Sequence, residues 1–254
     1  LMCAALLSAS LLHAGDTIKL KSFTDGDFAA KRIQGMRPLE GSDEYAQISA
    51  DGEKVVAFSF RTGKQVRTLF DVKDTKGETI KSFDDYEITA DGKHMLIQTN
   101  YKRIYRRSFT ADFYIYNIED KSLRKLSEGG SEQIPTFSPD GKKIAFVRKN
   151  IIFITDGKEE KQITTDGKFN EIINGLPDWV NEEEFSFNNA LAWGADSKTL
   201  SWIKYDESNV KSYSLQMFKG SHPSLDDNAE YPGLYSYKYP KAGQENSKVS
   251  AWCY

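Results

Sequence analysis

Four times along this chain the same small device recurs: small or polar residues, an aspartate followed by glycine or serine, then an apolar run rich in β-formers. Ile48-Ser49-Ala50-Asp51-Gly52 leads into Val55-Val56-Ala57-Phe58, and Ile88-Thr89-Ala90-Asp91-Gly92 into Met95-Leu96-Ile97. Phe137-Ser138-Pro139-Asp140-Gly141 leads into Ile144-Ala145-Phe146-Val147, and Trp193-Gly194-Ala195-Asp196-Ser197 into Leu200-Ser201-Trp202-Ile203. An Asp-Gly pair supplies the positive φ that a tight hairpin turn demands. The four aspartates stand 40, 49 and 56 residues apart, and four-stranded propeller blades recur at roughly 40–50 residues. Further strands fill each period, Phe113-Tyr114-Ile115-Tyr116-Asn117 and Ile151-Ile152-Phe153-Ile154 among them, and Asp156-Gly157 and Asp166-Gly167 mark further turns. The pattern predicts an all-β chain, a β-propeller of four-stranded blades. A β-sandwich of repeated hairpins is the competing all-β arrangement. Long helical periodicity is nowhere to be found, although Thr24-Asp25-Gly26-Asp27 predicts the cap of one short helix through Ala29-Ala30-Lys31.

Composition narrows the setting. With 39% hydrophobic and 28% charged residues the 254-residue chain reads as soluble and globular, and 13% aromatics favour strands over helices. A formal net charge of -3 gives no basic footprint for nucleic acid. The apolar run from Leu1 to Leu12 is too short to span a bilayer, which needs about 20 residues. Followed by His13-Ala14 and polar Gly15-Asp16, it predicts a secretory signal peptide over residues 1–14. Cys3 would leave with that leader and Cys253 is next to last, so no internal disulfide framework is expected. Both features point to a secreted or periplasmic protein of a Gram-negative bacterium. The expected organisation is a leader (1–14), an N-terminal segment with the short helix (15–40) and a partial propeller (41–254). Four periods, plus a start at Lys248-Val249-Ser250, leave sheet edges that only ring closure would cover.

Catalytic patterns are missing. No Gly-x-Ser-x-Gly elbow occurs, since Gly129-Gly130-Ser131-Glu132-Gln133 fails at its last position. Beyond the leader only His94 and His222 remain, neither in the setting of a catalytic base. With no paired cysteines there is no zinc motif, and no phosphate-binding glycine loop is present. No catalytic residue, metal or cofactor is therefore expected within this chain. One segment breaks the blade rhythm: Gly175-Leu176-Pro177-Asp178-Trp179-Val180-Asn181-Glu182-Glu183-Glu184-Phe185. Pro177-Asp178 reads as a helix start with Asp178 as N-cap. The three acids that follow lie about 100° apart on a helix, so at most two can converge on one target. Acids wedged between Trp179 and Phe185 call for a cation; a solvated acidic turn is the plainer alternative.

Asp178-Trp179-Val180-Asn181-Glu182-Glu183-Glu184 resembles the Asp-Trp-Val-Tyr-Glu-Glu-Glu signature of the dipeptidyl peptidase IV family. Tyr105-Arg106-Arg107-Ser108-Phe109-Thr110-Ala111 is similar to the family's Trp-Arg-His-Ser-Tyr-Thr-Ala segment, and Tyr239-Pro240-Lys241-Ala242-Gly243 repeats its Tyr-Pro-Lys-Ala-Gly run. The resemblance implies a serine exopeptidase releasing X-Pro or X-Ala dipeptides from peptide N-termini. It implies an eight-bladed propeller, of which this chain would supply about four to five blades, and a C-terminal α/β-hydrolase domain that would carry the nucleophile. In that reading Glu183 and Glu184 bind the substrate's α-ammonium, and Arg106 contacts a substrate carbonyl and orients the glutamates. Glu182 is left as a solvated or structural acid. The partners implied are peptides with a free N-terminus, the hydrolase domain of the same protein and, as an open option, a second copy in a homodimer. This chain alone is expected to be inactive. A non-catalytic periplasmic propeller that binds proteins or glycans is the alternative from another class, and a related oligopeptidase without the amine clamp is a third.

Overall fold

The structure is a computed structural model that describes residues 18–30, 32–33, 35–218, 228 and 230–254. The expected leader at 1–14, Lys31 and His222 lie outside the described residues. The chain divides into two compact units, Leu1–Ile33 and Gln34–Tyr254. The first holds α1 (Leu20–Thr24), none of whose residues is buried. This helix ends where the sequence predicted a helix to begin. Asp25 stands at its C-cap, and Thr24 Oγ1 donates back to the carbonyl of Lys21 at 3.0 Å. A threonine hydroxyl can serve either end of a helix, and here the backward bond wins.

The second unit is a series of four propeller blades. Strands β1 (Arg37–Pro38), β2 (Glu44–Ile48), β3 (Lys54–Ser59) and β4 (Gln65–Asp71) form an antiparallel meander in sequence order. Its first strand thus precedes residue 41. After the short β5 (Lys76–Gly77) come β6 (Asp85–Ile88), β7 (His94–Arg103), β8 (Phe109–Asn117) and β9 (Ser122–Lys125), the second blade. β5 pairs in parallel with β9, so chain leaving the first blade covers the edge of the second. The third blade is β10 (Gln133–Phe137), β11 (Ile144–Arg148), β12 (Ile151–Thr155) and β13 (Glu160–Gln162). The fourth departs from the meander. β14 (Ile172–Asn174) and β15 (Leu191–Trp193) both pair with one side of β16 (Leu200–Asp206), and helix α2 (Trp179–Phe185) lies between them in sequence. A hairpin arm, β17 (Ser212–Met217) and β18 (Gly233–Lys238), precedes β19 (Lys248–Cys253) on the other side of β16.

Apolar runs without alternation build the central strands because each is covered on both faces. On β7, Met95 and Ile97 enter a core shared with the first blade, through Val55 and Phe70, while Leu96 between them packs with Phe146 of the third. On β11 the same division sends Ile144 and Phe146 one way and Ala145 and Val147 the other, toward Leu200 and Trp202. Successive side chains on a strand point to opposite faces, so one run serves two interfaces.

Three of the four predicted turns share one hydrogen-bond design, and the fourth keeps only its amide-to-carbonyl bond. Gly52, Gly92 and Gly141 have φ of 72°, 68° and 68°. Their amides donate to the carbonyls of Ser49, Thr89 and Ser138, whose hydroxyls bond the turn aspartates and accept the amides of Lys54, His94 and Lys143. In the fourth turn Ser197 takes the left-handed position with φ 57°, and its amide donates to Gly194.

Candidate functional site

The unusual segment is an excursion from a single point of the fourth blade's ladder. The amide of Gly175 donates to the carbonyl of Ile203 (3.0 Å), the amide of Ile203 to Ala190 (2.9 Å), and the amide of Ala190 to Gly175 (2.9 Å). Residues 176–189 leave and rejoin the sheet between those contacts, splitting one strand into β14 and β15. Gly175 turns the chain out with a φ of 76°, a conformation that side-chain-bearing residues adopt at a cost. Asp178 then caps α2 as the sequence predicted, accepting the amide and the Nδ2 of Asn181, each at 2.8 Å. Its second oxygen accepts from Ser247 Oγ at 2.5 Å, tying the helix start to the segment before β19. Trp179, the first helical residue, packs on Tyr239 with ring centroids 4.4 Å apart.

From this helix the three acids diverge. Glu182 turns inward and is 1% exposed. Its Oε1 accepts the backbone amides of Arg107 (2.7 Å) and Ser108 (2.8 Å), in the loop between β7 and β8. Charge-assisted bonds of this kind offset the cost of burying a carboxylate. Glu183 pairs with Arg106: Oε2 lies 3.0 Å from Nε, with the glutamate side chain 13% and the arginine side chain 69% exposed. Glu184 is exposed, and no ion pair or hydrogen bond engages its carboxylate among the described residues. The structure therefore brings Arg106 and Glu183 together and leaves Glu184 open to solvent on the same helix. Phe185 is 71% exposed, so the acids are not wedged between two aromatics as the composition implied. The cation is supplied across the blades instead.

Two contacts had no local signal in the sequence. Asn188 Nδ2 donates to the carbonyl of Arg107 at 2.9 Å, and Ser247 reaches Asp178 from 69 residues away. Asn188 and Glu182 strap the insert to the loop that carries Arg106, and Ser247 fastens the helix start to the segment before β19.

Beside the insert lies a cavity of about 630 Å³, whose lining includes Tyr105, Ser108, Phe169, Trp179, Glu182 and Glu207. Arg106, Glu183 and Glu184 are not part of that lining. Burial pushes the carboxyl of Glu207 up to about 7, with the charge of Asp178 adding to the effect and Lys238 opposing it. The chemistry of the exposed cluster is different: free carboxylate oxygens and an exposed guanidinium that together complement a cation next to a carbonyl.

In this propeller the fourth blade extrudes an acidic helix whose Glu183 meets Arg106 of the second blade. The sequence matches the family described as "Dipeptidyl peptidase IV (DPP IV) N-terminal region" over residues 89–254, and the chain belongs to that family. It is 32% identical over 243 residues to a probable dipeptidyl-aminopeptidase B of Verticillium alfalfae, covering 91% of this chain and 27% of that protein. A probable dipeptidyl-aminopeptidase B of Coccidioides posadasii is 37% identical over 170 residues, 64% of this chain and 18% of the relative. Among solved structures, dipeptidyl peptidase 4 of Porphyromonas gingivalis superposes with a TM-score of 0.85 at 39% identity, covering 93% of this chain and 33% of that one. The chain thus spans a third or less of each relative's length.

Proposed function

We propose that this chain is the substrate-recognition propeller of a serine exopeptidase that releases X-Pro or X-Ala dipeptides from free peptide N-termini. Glu183 and Glu184 hold the substrate's α-ammonium, and Arg106 takes a carbonyl of the same dipeptide. The nucleophile and its partners come from a C-terminal hydrolase domain of the full-length protein. The observation that carries this reading is the Arg106–Glu183 contact, 3.0 Å long, with the free carboxylate of Glu184 one residue further on. An α-amino group has a pKa near 8 and is mostly cationic at neutral pH. Two carboxylates accept its protons, and the neighbouring guanidinium offsets the repulsion between them. Fixing the terminus in this way works as a ruler: only two residues fit between the clamp and the reacting serine. Orientation of this kind lowers the barrier by several kcal/mol.

The test is turnover of a chromogenic X-Pro substrate by the full-length protein. Replacing Glu183 or Glu184 by alanine is expected to lower kcat/KM by roughly two orders of magnitude or more, because the bound ammonium loses one of its two carboxylate partners. N-acetylation of the substrate should do the same to the unaltered protein, because it removes the ammonium. Normal turnover by both variants, or equal use of acetylated and free substrates, would favour a related oligopeptidase without the amine clamp, and no turnover by the unaltered protein would favour a non-catalytic binding propeller. The homodimer implied by family resemblance is also part of this proposal. It is supported by exposed Tyr213, Leu215, Met217 and Leu234 on the β17–β18 arm, and sedimentation of the full-length protein checks it.

A further inference from the structure

We propose that Glu182 is a positioning residue that sets Arg106 against Glu183, an inference that rests on reading those two residues as the ammonium clamp. Adjacent residues on a helix point about 100° apart. On α2 this places two successive glutamates on one loop in two different ways. Glu182 grips the loop's backbone through the amides of Arg107 and Ser108, and Glu183 meets the side chain that leaves the backbone one residue earlier. Asn188 holds the carbonyl side of Arg107, so the insert grips that residue at both its amide and its carbonyl.

The grip is needed because little else fixes Arg106. Its side chain is 69% exposed, so packing does not hold it. Within the loop, the amides of Ile104 and Tyr105 both donate to the carbonyl of Ser108 and Arg103 Nη2 donates to that of Arg106 at 3.3 Å, bonds that close the turn but do not fix its place relative to α2. The buried carboxylate supplies that link between blades. Its two bonds, both to Oε1, also offset the burial of the carboxylate, so the grip and the burial depend on each other. Glutamine at this position keeps an acceptor oxygen, and alanine keeps none.

The test uses the full-length protein and the free-amine X-Pro substrate. Glu182→Ala is expected to raise KM about tenfold or more, and Glu182→Gln to stay within about threefold of the unaltered protein. When Arg106 is already alanine, Glu182→Ala should change KM by less than about twofold, because no guanidinium is left to position. Amide exchange across residues 105–108 should accelerate in Glu182→Ala while the hairpin amides of Gly52 and Gly92 stay protected. An unchanged KM in Glu182→Ala, or a rise that is as large without Arg106 as with it, overturns the positioning role. Should Glu182→Ala not fold, Asn188→Ala frees the other end of the same peptide and carries the test. A KM rise of about threefold supports the grip, and none overturns it. If Arg106→Ala and Glu183→Ala themselves leave KM unchanged, it is the clamp reading that fails. If they raise it and Glu182→Ala does not, the positioning role alone fails.

Discussion

The Asp-Gly hairpins and the acidic insert are both built around carboxylates that accept backbone amides, yet they solve opposite problems. In each hairpin the aspartate serves its own turn: Asp51 accepts the amide of Glu53, Asp91 that of Lys93 and Asp140 that of Lys142. The partners are two residues away and the carboxylates lie in solvent. In the insert, Glu182 accepts amides 74 and 75 residues distant and is buried. A local bond fixes a local shape and can be repeated in every blade. A non-local bond joins two blades, and the pair made by Glu182 stands beside the contact of Arg106 with Glu183.

The comparison breaks most sharply in activity. Glu183→Ala is expected to weaken transition-state binding for dipeptide release by about 3 kcal/mol, roughly two decades in kcat/KM. Asp51→Ala, which removes a hairpin carboxylate in the first blade, should leave kcat and KM unchanged. Parallel kinetics on the two full-length variants decide it: a hairpin variant that lost as much activity as Glu183→Ala would erase the distinction.

That distinction also accounts for what could be read from the sequence. The turns were legible because every partner lies within five residues, as in the bond between Ser49 and Lys54. The N-cap of α2 was legible for the same reason, Asp178 and Asn181 being neighbours on one turn. Three acids on a short helix were visible as well, and so was the limit that not all could share a target. Which of them turned inward was not, because the answer lies in the amides of Arg107 and Ser108. The split of β14 from β15 was hidden too, since Gly175 and Ala190 meet only once residues 176–189 have left the sheet. Thr24 misled because its hydroxyl is as able to close a helix as to open one. Resemblance drew attention to Arg106; no local pattern separated it from Arg107.

Acid and alkali should separate buried carboxyls from turn carboxyls. Glu132 lies between the second and third blades, where it exchanges both backbone hydrogen bonds with Ala111. Burial pushes its carboxyl up to about 8, while the amide of Phe113 and the charge of Arg148 pull it down. A raised value means that the folded protein binds the proton more tightly than the unfolded chain. The resulting stability is complete below the ordinary carboxyl range and is lost as pH rises through about 8. The turn aspartates run the other way. Hydrogen bonds from the hydroxyls of Ser49, Thr89 and Ser138 hold Asp51, Asp91 and Asp140 below their ordinary range. Their contribution is present above that range and is lost as pH falls through the depressed values. Melting temperatures between about pH 3 and pH 9 should therefore fall at both ends. Glu132→Gln should shrink the alkaline limb to the share left by Glu207 and leave the acid limb in place; a variant that changes neither limb would show that its proton does not report on folding.

Gly175 tests the stem of the insert on a smaller scale. A Cβ there would meet Val147 Cγ2 at 3.2 Å and Ile152 Cδ1 at 3.3 Å, and the backbone has φ 76°. Strain of the left-handed region and crowding against β11 and β12 act together, so Gly175→Ala should destabilise by about 1–3 kcal/mol. Gly52→Ala has the same φ problem with open space around it, and should lose only the strain, about 1 kcal/mol. The difference between the two melting temperatures isolates the packing of the stem. If they are equal, the insert leaves the sheet without pressing on the third blade.

The smallest effect concerns the one hairpin that breaks the pattern. Ser197 occupies the position held by glycine in the other three turns, with φ 57°. Relief of that strain by Ser197→Gly would stabilise by about 1–2 kcal/mol, less about 0.4–1 kcal/mol for the extra freedom that glycine gains when unfolded. The serine hydroxyl, however, accepts the amide of Asp140 at 3.0 Å and so links the third blade's turn to the fourth's. Losing that bond costs about 0.5–1.5 kcal/mol. The two terms nearly cancel, and Ser197→Gly is expected to lie within about 0.5 kcal/mol of the unaltered protein. Ser197→Ala keeps the strain and loses the bond, so it should fall about 1 kcal/mol below. Clear stabilisation by glycine would mean that the four turns are independent copies. A loss equal to that of alanine would mean that the fourth turn, like the insert above it, takes its shape from the neighbouring blade.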